Sequence, residues 1–263
     1  MEIFAYCSAL AIGLIMGLSG AGGAILTVPV LVYLAGVEPV AATAYSLFIV
    51  GITSLFGTLQ NLRKETVMFK TGFLYALPSV AGVFLSRRVL LPMLPDTIFT
   101  IGGFSLSKGA LLMVIFSALM FLAALSLLRK NPPADGKARN RALLALQIFL
   151  AGMVVGLVGA GGGFLFVPML IFIAGMEMKN AAATSLMIIA LNSAVGFASS
   201  AATVRFDWMF LGIFSTVAII GILAGIALAH RVDDRRLKRG FGWFVLAMSI
   251  VIFATEVIVP VVM

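Results

Sequence analysis

Long apolar segments dominate this sequence and restrict the folds that it can adopt. Of its 263 residues, 62% are hydrophobic and 11% are charged. The apolar runs are separated by short charged loops, and many approach the roughly 17–25 residues that a helix needs to cross a bilayer. They do not alternate apolar and polar residues, as membrane β-strands would. Because amides in hydrocarbon must be paired within their own segment, the runs are predicted to be helices of an all-α polytopic membrane protein.

One long segment of the sequence occurs twice. Residues 17–57 return as residues 156–196, an offset of 139, and 20 of the 41 aligned positions are identical. Each copy opens with a glycine-rich motif, Gly17 to Gly23 in the first and Gly156 to Gly162 in the second. An internal repeat of this length predicts two structural halves. We assign 1–128 to a first transmembrane repeat, 129–141 to a polar, basic cytoplasmic linker, and 142–263 to a second repeat.

Each half contains five apolar runs, and the second run of each is short. The run 24–35 has 12 residues, which reach about 18 Å as a helix, against a hydrocarbon core of about 30 Å. The first two runs are therefore either one broken helix that crosses once or a hairpin whose short arm re-enters. In the second half the corresponding short run is 164–174.

The basic residues favour the hairpin. With a cytoplasmic linker, the hairpin places 14 of the 18 Lys and Arg residues inside and leaves four outside, which are Arg87, Arg88, Lys108 and Arg205. The single-crossing arrangement places nine of these basic residues on each side of the membrane, which disagrees with the positive-inside rule. Five passes per half is an odd number, so the halves are predicted to have inverted topology. Inverted repeats are typical of secondary transporters, whose substrate sites lie at the repeat interface.

The two glycine motifs are candidate anion sites. Glycines permit a left-handed backbone, and the helix that follows begins with unpaired amides and a positive dipole end. Such an end binds an anion without a cationic side chain. The alternative is that the glycines only let helices pack closely. The candidate substrate-binding residues in the motifs are Ser19, Gly20, Gly22, Gly23, Gly159, Gly161 and Gly162.

Polar side chains that follow the short helices complete the candidate site. They are Thr43, Ser46, Thr184, Ser185 and Asn192, with Thr53, Ser54 and Ser193 as further polar residues at equivalent places. Their hydroxyl and amide groups could donate to an oxyanion. The alternative for Ser and Thr is a hydrogen bond back to a carbonyl of their own helix, which is common in apolar helices. Asn192 is costly in an apolar run, so it is expected to have a role or a partner.

Other function classes have little support in the sequence. The net charge of +8 comes from loops beside apolar runs, where topology explains it better than nucleic-acid binding does. The chain has a single Cys and a single His, which argues against a metal site. We find no catalytic constellation and expect no enzyme activity, no cofactor and no metal. Glu256 and His230 are expected at the membrane surface. Coupling to protons or another ion, and the oligomeric state, stay open.

The motifs resemble those of the sulfite exporter TauE/SafE family of membrane permeases. The resemblance rests on the two glycine motifs, each followed by Val-Pro, and on the segments Ala42 to Leu47 and Ala181 to Leu186. It implies a permease for a small sulfur-containing anion, such as sulfite or an organosulfonate, in a bacterial inner membrane. Two departures, Val158 at the position of Ser19 and Tyr45 at that of Thr184, imply asymmetric binding of the substrate.

Two other functions remain open on the sequence alone. A passive anion channel could use the same helix ends without alternating access. A membrane scaffold or assembly factor would use the glycines only for packing. The partners expected for the transporter are a small anion and the lipid bilayer.

Overall fold

Helices form nearly all of the described chain. The computed structural model describes residues 2–20, 22–101, 104–128, 141–159, 161–201, 204–229 and 234–255. The helices are α1 Glu2–Ser19, α2 Gly22–Pro29, α3 Pro39–Leu62, α4 Phe69–Leu85, α5 Leu91–Met93, α6 Lys108–Leu128, α7 Arg141–Val158, α8 Gly163–Phe172, α9 Met178–Ser200, α10 Trp208–Ala229 and α11 Asp234–Phe253. The predicted linker lies outside the described residues except for Arg141, so the division into two repeats stays a prediction.

One small β-hairpin interrupts the helical architecture. Strand β1, Thr97–Ile101, pairs antiparallel with β2, Phe104–Ser107. The prolines and glycines of residues 90–107 predict a loop or an interfacial segment, and residues 97–101 and 104–107 form this hairpin instead. The all-α class is therefore confirmed apart from this hairpin.

Within the part of the chain that the structure describes, four helical segments are long and apolar enough to cross a membrane. They are Pro39–Leu62, Phe69–Met93, Met178–Ser200 and Trp208–Ala229. Several of the remaining helices are apolar but shorter. Many large apolar side chains on the outer surface are exposed, such as Leu77 at 71% and Ile220 at 58%. A protein with such a surface is suited to lipid, and it is a multi-pass membrane protein.

The chain reverses direction at the first glycine motif. Gly20 has φ +77° and donates its amide to the Met16 carbonyl, which ends α1. Glycine suits this left-handed position because it has no Cβ to clash. Gly23, at the start of α2, then lies so close to α1 that an added Cβ would collide with the carbonyl of Ile12. Helix α2 thus folds back along α1, the geometry expected of a hairpin.

The second motif repeats this turn with one difference. Gly159 has φ +76° and donates its amide to Val155, and Gly162 precedes α8 with φ +80°. Helix α8 continues through Pro168 to Phe172, whereas α2 ends at Pro29 and passes into a π-helical turn, Val30–Leu34. A second π-helical turn, described below, follows α4.

Close packing between α1 and α10 shows that they run in the same direction. An added Cβ at Gly13 would collide with the carbonyl of Ala218, and one at Gly17 with that of Ile222. Because the contact moves forward on both helices together, α1 and α10 are parallel. Each helix comes from a different half of the sequence.

The same relationship links α7 with α4. An added Cβ at Gly152 would collide with the carbonyl of Ser79, and one at Gly156 would come within 3.0 Å of the Val83 carbonyl oxygen. These four residues are the counterparts of the previous four under the offset of 139, since 13 + 139 = 152 and 79 + 139 = 218. Helices α4 and α7 are therefore parallel to each other.

Helices α3 and α9 cross in opposite directions at the centre of the protein. Gly57 near the end of α3 lies against Leu186 near the start of α9, and Gly196 near the end of α9 lies against Leu47 near the start of α3. Both helices are the most buried of the spanning segments, at 61% and 67%. They form the central pair on which the other helices pack.

Candidate functional site

In each motif, the left-handed glycine that ends the first helix rests on the central helix of the other half. An added Cβ at Gly20 would collide with the backbone of Ala182 on α9. An added Cβ at Gly159 would collide with Thr43 on α3. The two contacts correspond under the offset, since 20 + 139 = 159 and 43 + 139 = 182. The motifs are thereby held against the beginnings of α3 and α9.

The second motif also reaches the middle of the central pair. Gly161 has φ +63°, and an added Cβ would lie 2.6 Å from Val50 Cγ1, 2.9 Å from Ile189 Cγ2 and 3.2 Å from Ser193 Oγ. Any larger residue would therefore displace side chains from both α3 and α9. The close approach places the backbone that precedes α8 beside the hydroxyl of Ser193.

Three fully buried hydroxyls on the central pair have no hydrogen-bond partner among the described residues. They belong to Ser46 and Ser54 on α3 and Ser193 on α9, each 0% exposed. Buried polar groups are usually paired, because removing one from water without a partner costs free energy. These three donors are therefore available to a ligand. Ser54 and Ser193 are also counterparts under the offset, since 54 + 139 = 193.

The start of α8 adds backbone donors to this region. Gly162 precedes the helix and provides no side-chain cap. Its carbonyl accepts from the amides of Leu165 and Phe166 at 2.9 and 3.0 Å, so the amides before them are the free ones. Those amides and the helix dipole give the motif a partial positive charge.

Asn192 has a partner through one end of its side chain. Its Nδ2 donates to Ser79 Oγ on α4 at 2.7 Å, and its Oδ1 has no partner among the described residues. The side chain is fully buried. The expectation that this residue has a partner is thus confirmed, and the bond links α9 to α4.

Several of the predicted hydroxyls are engaged within their own helices. Ser19 Oγ donates to the carbonyl of Ile15 at 2.7 Å, and Thr43 Oγ1 to that of Val40 at 2.7 Å. These are the local bonds expected of Ser and Thr in apolar helices. Val158 occupies the equivalent position in the second half. Because the Ser19 hydroxyl bonds to a carbonyl of its own helix, the second half lacks that helix bond rather than a free donor.

Thr184 and Tyr45 are equivalent caps. The amide of Met68 donates to Thr184 Oγ1 at 3.0 Å, and that of Asp207 donates to Tyr45 Oη at 2.7 Å. The pairs correspond under the offset, since 45 + 139 = 184 and 68 + 139 = 207. Each hydroxyl satisfies an amide just before α4 or α10. The two different residues therefore serve the same structural contact.

Among the described residues, no charged side chain is hydrogen-bonded to the three free hydroxyls. Glu38 caps the start of α3, where its carboxylate accepts from the amides of Val40 and Ala41 at 3.1 and 3.0 Å. Among the described residues no group of three or more His, Cys, Asp or Glu side chains could hold a metal. Glu256 and His230 lie outside the described residues.

The structure shifts the emphasis among the polar residues of the predicted site. Ser54 and Ser193, which the sequence names only as further hydroxyls that match under the offset, are unpartnered donors on the central pair. The sequence identifies Arg87 only as one of the four basic residues left outside, yet its side chain is 4% exposed. Periodicity does not reveal that this side chain turns inward.

Comparison with known proteins gives consistent matches. Residues 5–252 match the family model described as sulfite exporter TauE/SafE. A probable membrane transporter protein of Xylella fastidiosa is 29% identical over 248 residues, covering 91% of this chain and 90% of that protein. The probable membrane transporter protein YjnA of Bacillus subtilis is 28% identical over 263 residues, covering 98% and 100%. The B. subtilis protein YunE, with the same description, is 27% identical over 249 residues, covering 86% and 89%. No solved structure gives a significant match.

Proposed function

Because this chain belongs to the sulfite exporter TauE/SafE family, we propose that it carries a small sulfur-containing anion, such as sulfite or an organosulfonate, across the bacterial inner membrane. The chain is a membrane transporter by family and by its relatives. The observation that carries the substrate proposal is the set of three buried, unpartnered hydroxyls of Ser46, Ser54 and Ser193 on the central helix pair, of which Ser193 lies beside the second glycine motif.

This set of donors suits an oxyanion better than a cation. Hydroxyls and free helix amides donate hydrogen bonds to negatively charged oxygen, and preorganised donors in a dry site bind it strongly. No carboxylate is described beside the hydroxyls to repel an anion. Sulfite and sulfonates present three oxygens, which matches a site with donors on several sides.

Reciprocal packing supports an inverted repeat and alternating access. Helices α4 and α9 run in parallel, because Met68 bonds to Thr184 and Ser79 bonds to Asn192 further along both helices. Helices α3 and α10 run in parallel, since Tyr45 contacts Asp207 and Gly57 contacts Ile222. With α3 and α9 antiparallel, corresponding helices of the two halves point in opposite directions. In transporters built this way, one repeat moves against the other around a central site.

The functional test is flux into vesicles that contain the purified protein. We propose to measure uptake of labelled sulfite and sulfoacetate for the wild type and for Ser54→Ala combined with Ser193→Ala. Loss of two donors to an anion is expected to reduce uptake by roughly tenfold or more. The thermal midpoint should stay the same or rise, because no protein hydrogen bond is lost.

Ser215→Ala is the matched control. Ser215 lies on α10, is 4% exposed and also has a hydroxyl without a described partner. Its replacement makes the same chemical change outside the central pair, and uptake should remain at the wild-type level. Equal uptake by all three proteins would overturn the assignment of the hydroxyls to the site.

Concentration dependence separates a transporter from a channel. Alternating access predicts uptake that saturates and responds to a counter-ion or proton gradient. Flux that rises linearly with concentration and ignores such gradients would indicate a passive channel instead. The absence of both flux and anion-dependent stabilisation would contradict the transport proposal.

A further inference from the structure

A basic pocket lies where α4 and α9 end. Its volume is about 190 Å³, well above the roughly 10–15 Å³ that one water requires. Arg87, Arg88, Lys108, Ser199 and Ser200 contribute its polar lining, and no acidic side chain is among the lining residues. Ser200 lies seven residues beyond Ser193, about 10 Å along α9. The pocket is therefore separate from the hydroxyl of Ser193, and Ser46, Ser54 and Ser193 are not among its lining residues.

Arg87 is the most unusual of these residues. Its side chain is 4% exposed, and its Nη1 donates to Ser200 Oγ at 3.4 Å. Its Nε and Nη2 have no acceptor among the described residues. A buried guanidinium without a carboxylate partner is costly. Its planar set of donors suits a sulfonate, sulfate or phosphate group, which can accept two parallel hydrogen bonds.

The backbone around Arg87 is held in place by α7. Arg87 belongs to the π-helical turn Ser86–Leu90, which follows α4. Gly156 on α7 packs against the base of this turn, since an added Cβ would collide with the hydroxyl of Ser86. Single π-helical turns often occur at functional sites. The turn therefore presents Arg87 to the pocket from a closely packed position.

The opposite end of the protein has an equivalent pocket with different chemistry. Its volume is about 40 Å³, and Asn61, Lys179 and Ile226 are among its lining residues. Asn61 and Ile226 are the counterparts of Ser200 and Arg87, since 61 + 139 = 200 and 87 + 139 = 226. The guanidinium is thus replaced by an apolar side chain. The two ends differ in both size and charge.

We propose that the Arg87 pocket is an oxyanion-binding site, distinct from the central site, with the Arg87 guanidinium as its principal ligand. The ligand is a sulfate-like or phosphate-like group, supplied either by a free anion or by an anionic lipid headgroup. Binding at this site does not depend on which substrate is transported. The site would also act as a vestibule that binds the anion at one end of the transport pathway, and this role rests on the proposed function.

Equilibrium binding of sulfate tests the site without measuring transport. Sulfate is titrated onto the full-length protein in neutral detergent, and the thermal midpoint is recorded. Saturable stabilisation is expected for the wild type. Arg87→Gln should weaken the apparent affinity roughly ten- to hundredfold, and Arg87→Lys should fall between. Size-exclusion chromatography checks that each variant remains folded.

Arg63→Gln is the matched control for charge. Arg63 is exposed in the turn after α3 and is not among the residues that line the pocket, and its replacement changes the net charge by the same amount. The sulfate affinity of this variant should stay within about twofold of the wild type, because exposed charges are screened. Equal losses in Arg87→Gln and Arg63→Gln would overturn the proposal, as would equal affinities in Arg87→Gln and the wild type.

Lipid composition distinguishes the two sources of the ligand. The titration is repeated in nanodiscs of phosphatidylcholine alone and with phosphatidylglycerol added. If a lipid headgroup occupies the pocket, phosphatidylglycerol should stabilise the wild type and abolish its thermal response to sulfate. Arg87→Gln should show neither the stabilisation nor a change in its response to sulfate. A free anion predicts a sulfate response that phosphatidylglycerol leaves unchanged. Either result supports the site, and a response in neither membrane contradicts it.

The central double variant separates this inference from the proposed function. In Ser54→Ala with Ser193→Ala, sulfate affinity at the Arg87 pocket should be retained while uptake is lost. Loss of sulfate binding in that variant would show that the response belongs to the central site, and the separate pocket would be rejected. Failure to transport any sulfur anion would reject the proposed function but leave the Arg87 result standing.

Discussion

The hydroxyl of Ser185 is shared between two acceptors, donating to the carbonyl oxygen of Ala182 in its own helix at 2.8 Å and to that of Gly20 in the first glycine motif at 3.2 Å. Its counterpart, Ser46, is equally buried but has no described partner. The first glycine motif is therefore bonded to the opposite central helix through a side chain, whereas the corresponding hydroxyl in the other half is free. The two halves are equivalent in sequence but differ in their hydrogen bonding.

This difference predicts that two equivalent substitutions affect stability and anion uptake differently. Ser185→Ala removes a bond between α9 and the first motif and should lower stability by about 1 kcal/mol. Ser46→Ala removes no described bond and should leave stability unchanged or slightly higher, while reducing anion uptake. Thermal unfolding in detergent and vesicle uptake measure the two effects. A stability loss in Ser46→Ala as large as that in Ser185→Ala would contradict the asymmetry.

Three glycine substitutions separate backbone strain from collision. Gly159→Ala combines a left-handed backbone with a clash at Thr43 and should be the most damaging, by about 1–3 kcal/mol or more. Gly175 has φ +68°, and an added Cβ would have no neighbour within 4 Å. Gly175→Ala should therefore lower stability through backbone strain alone. Gly212→Ala lies in α10 with free space and should be neutral or stabilising. Thermal midpoints that do not follow this order would refute the packing description.

Substitutions at the two caps test whether Thr184 acts structurally. Thr184→Val leaves the amide of Met68 without its acceptor and should cost about 1–3 kcal/mol. Thr184→Ser retains the hydroxyl and should retain most of the stability. Tyr45→Phe removes the acceptor of the Asp207 amide and should lower stability by a similar amount. Thermal unfolding gives these values, and a Thr184→Val variant with normal stability but no uptake would instead favour direct substrate binding.

The bond between Asn192 and Ser79 predicts energetic coupling between α9 and α4. Asn192→Ala and Ser79→Ala should each destabilise the protein, and the double variant should lose less than the sum of the two. A coupling energy of about 1 kcal/mol is expected from thermal or denaturant unfolding of the four proteins. Strict additivity would show that the 2.7 Å bond does not contribute to stability.

Cysteine labelling tests the inverted topology. Cys7 is replaced by Ser, and single cysteines are introduced at Met68→Cys and Arg205→Cys, which are exposed sites in the loops after α3 and α9. The inverted arrangement predicts that a membrane-impermeant maleimide reaches Arg205→Cys from outside intact cells and Met68→Cys only after lysis. Labelling of both sites from the same side would favour the single-crossing arrangement.

The sequence anticipated the architecture well, because the repeat and the apolar runs report directly on local structure. The turns at Gly20 and Gly159 and the caps at Gly36 and Gly175 all have positive φ, as glycine at those positions predicts. The β-hairpin at Thr97–Ile101 was not foreseen, since Pro and Gly in that segment suggest a loop equally well. Glu38 does cap its helix through its carboxylate, whereas the equivalent Glu177 makes no side-chain cap bond.

The sequence by itself determined that this is a helical membrane protein with two related halves, because hydrocarbon demands paired amides and a repeated sequence adopts a repeated local structure. Only the tertiary structure decided which polar groups are free. Thr43 and Thr184 carry hydroxyls like those of Ser46 and Ser193, yet the first two are engaged and the last two are not. Hydrogen bonding depends on which helices meet, and that is fixed by packing between residues more than 100 positions apart. The same packing turns Arg87 inward.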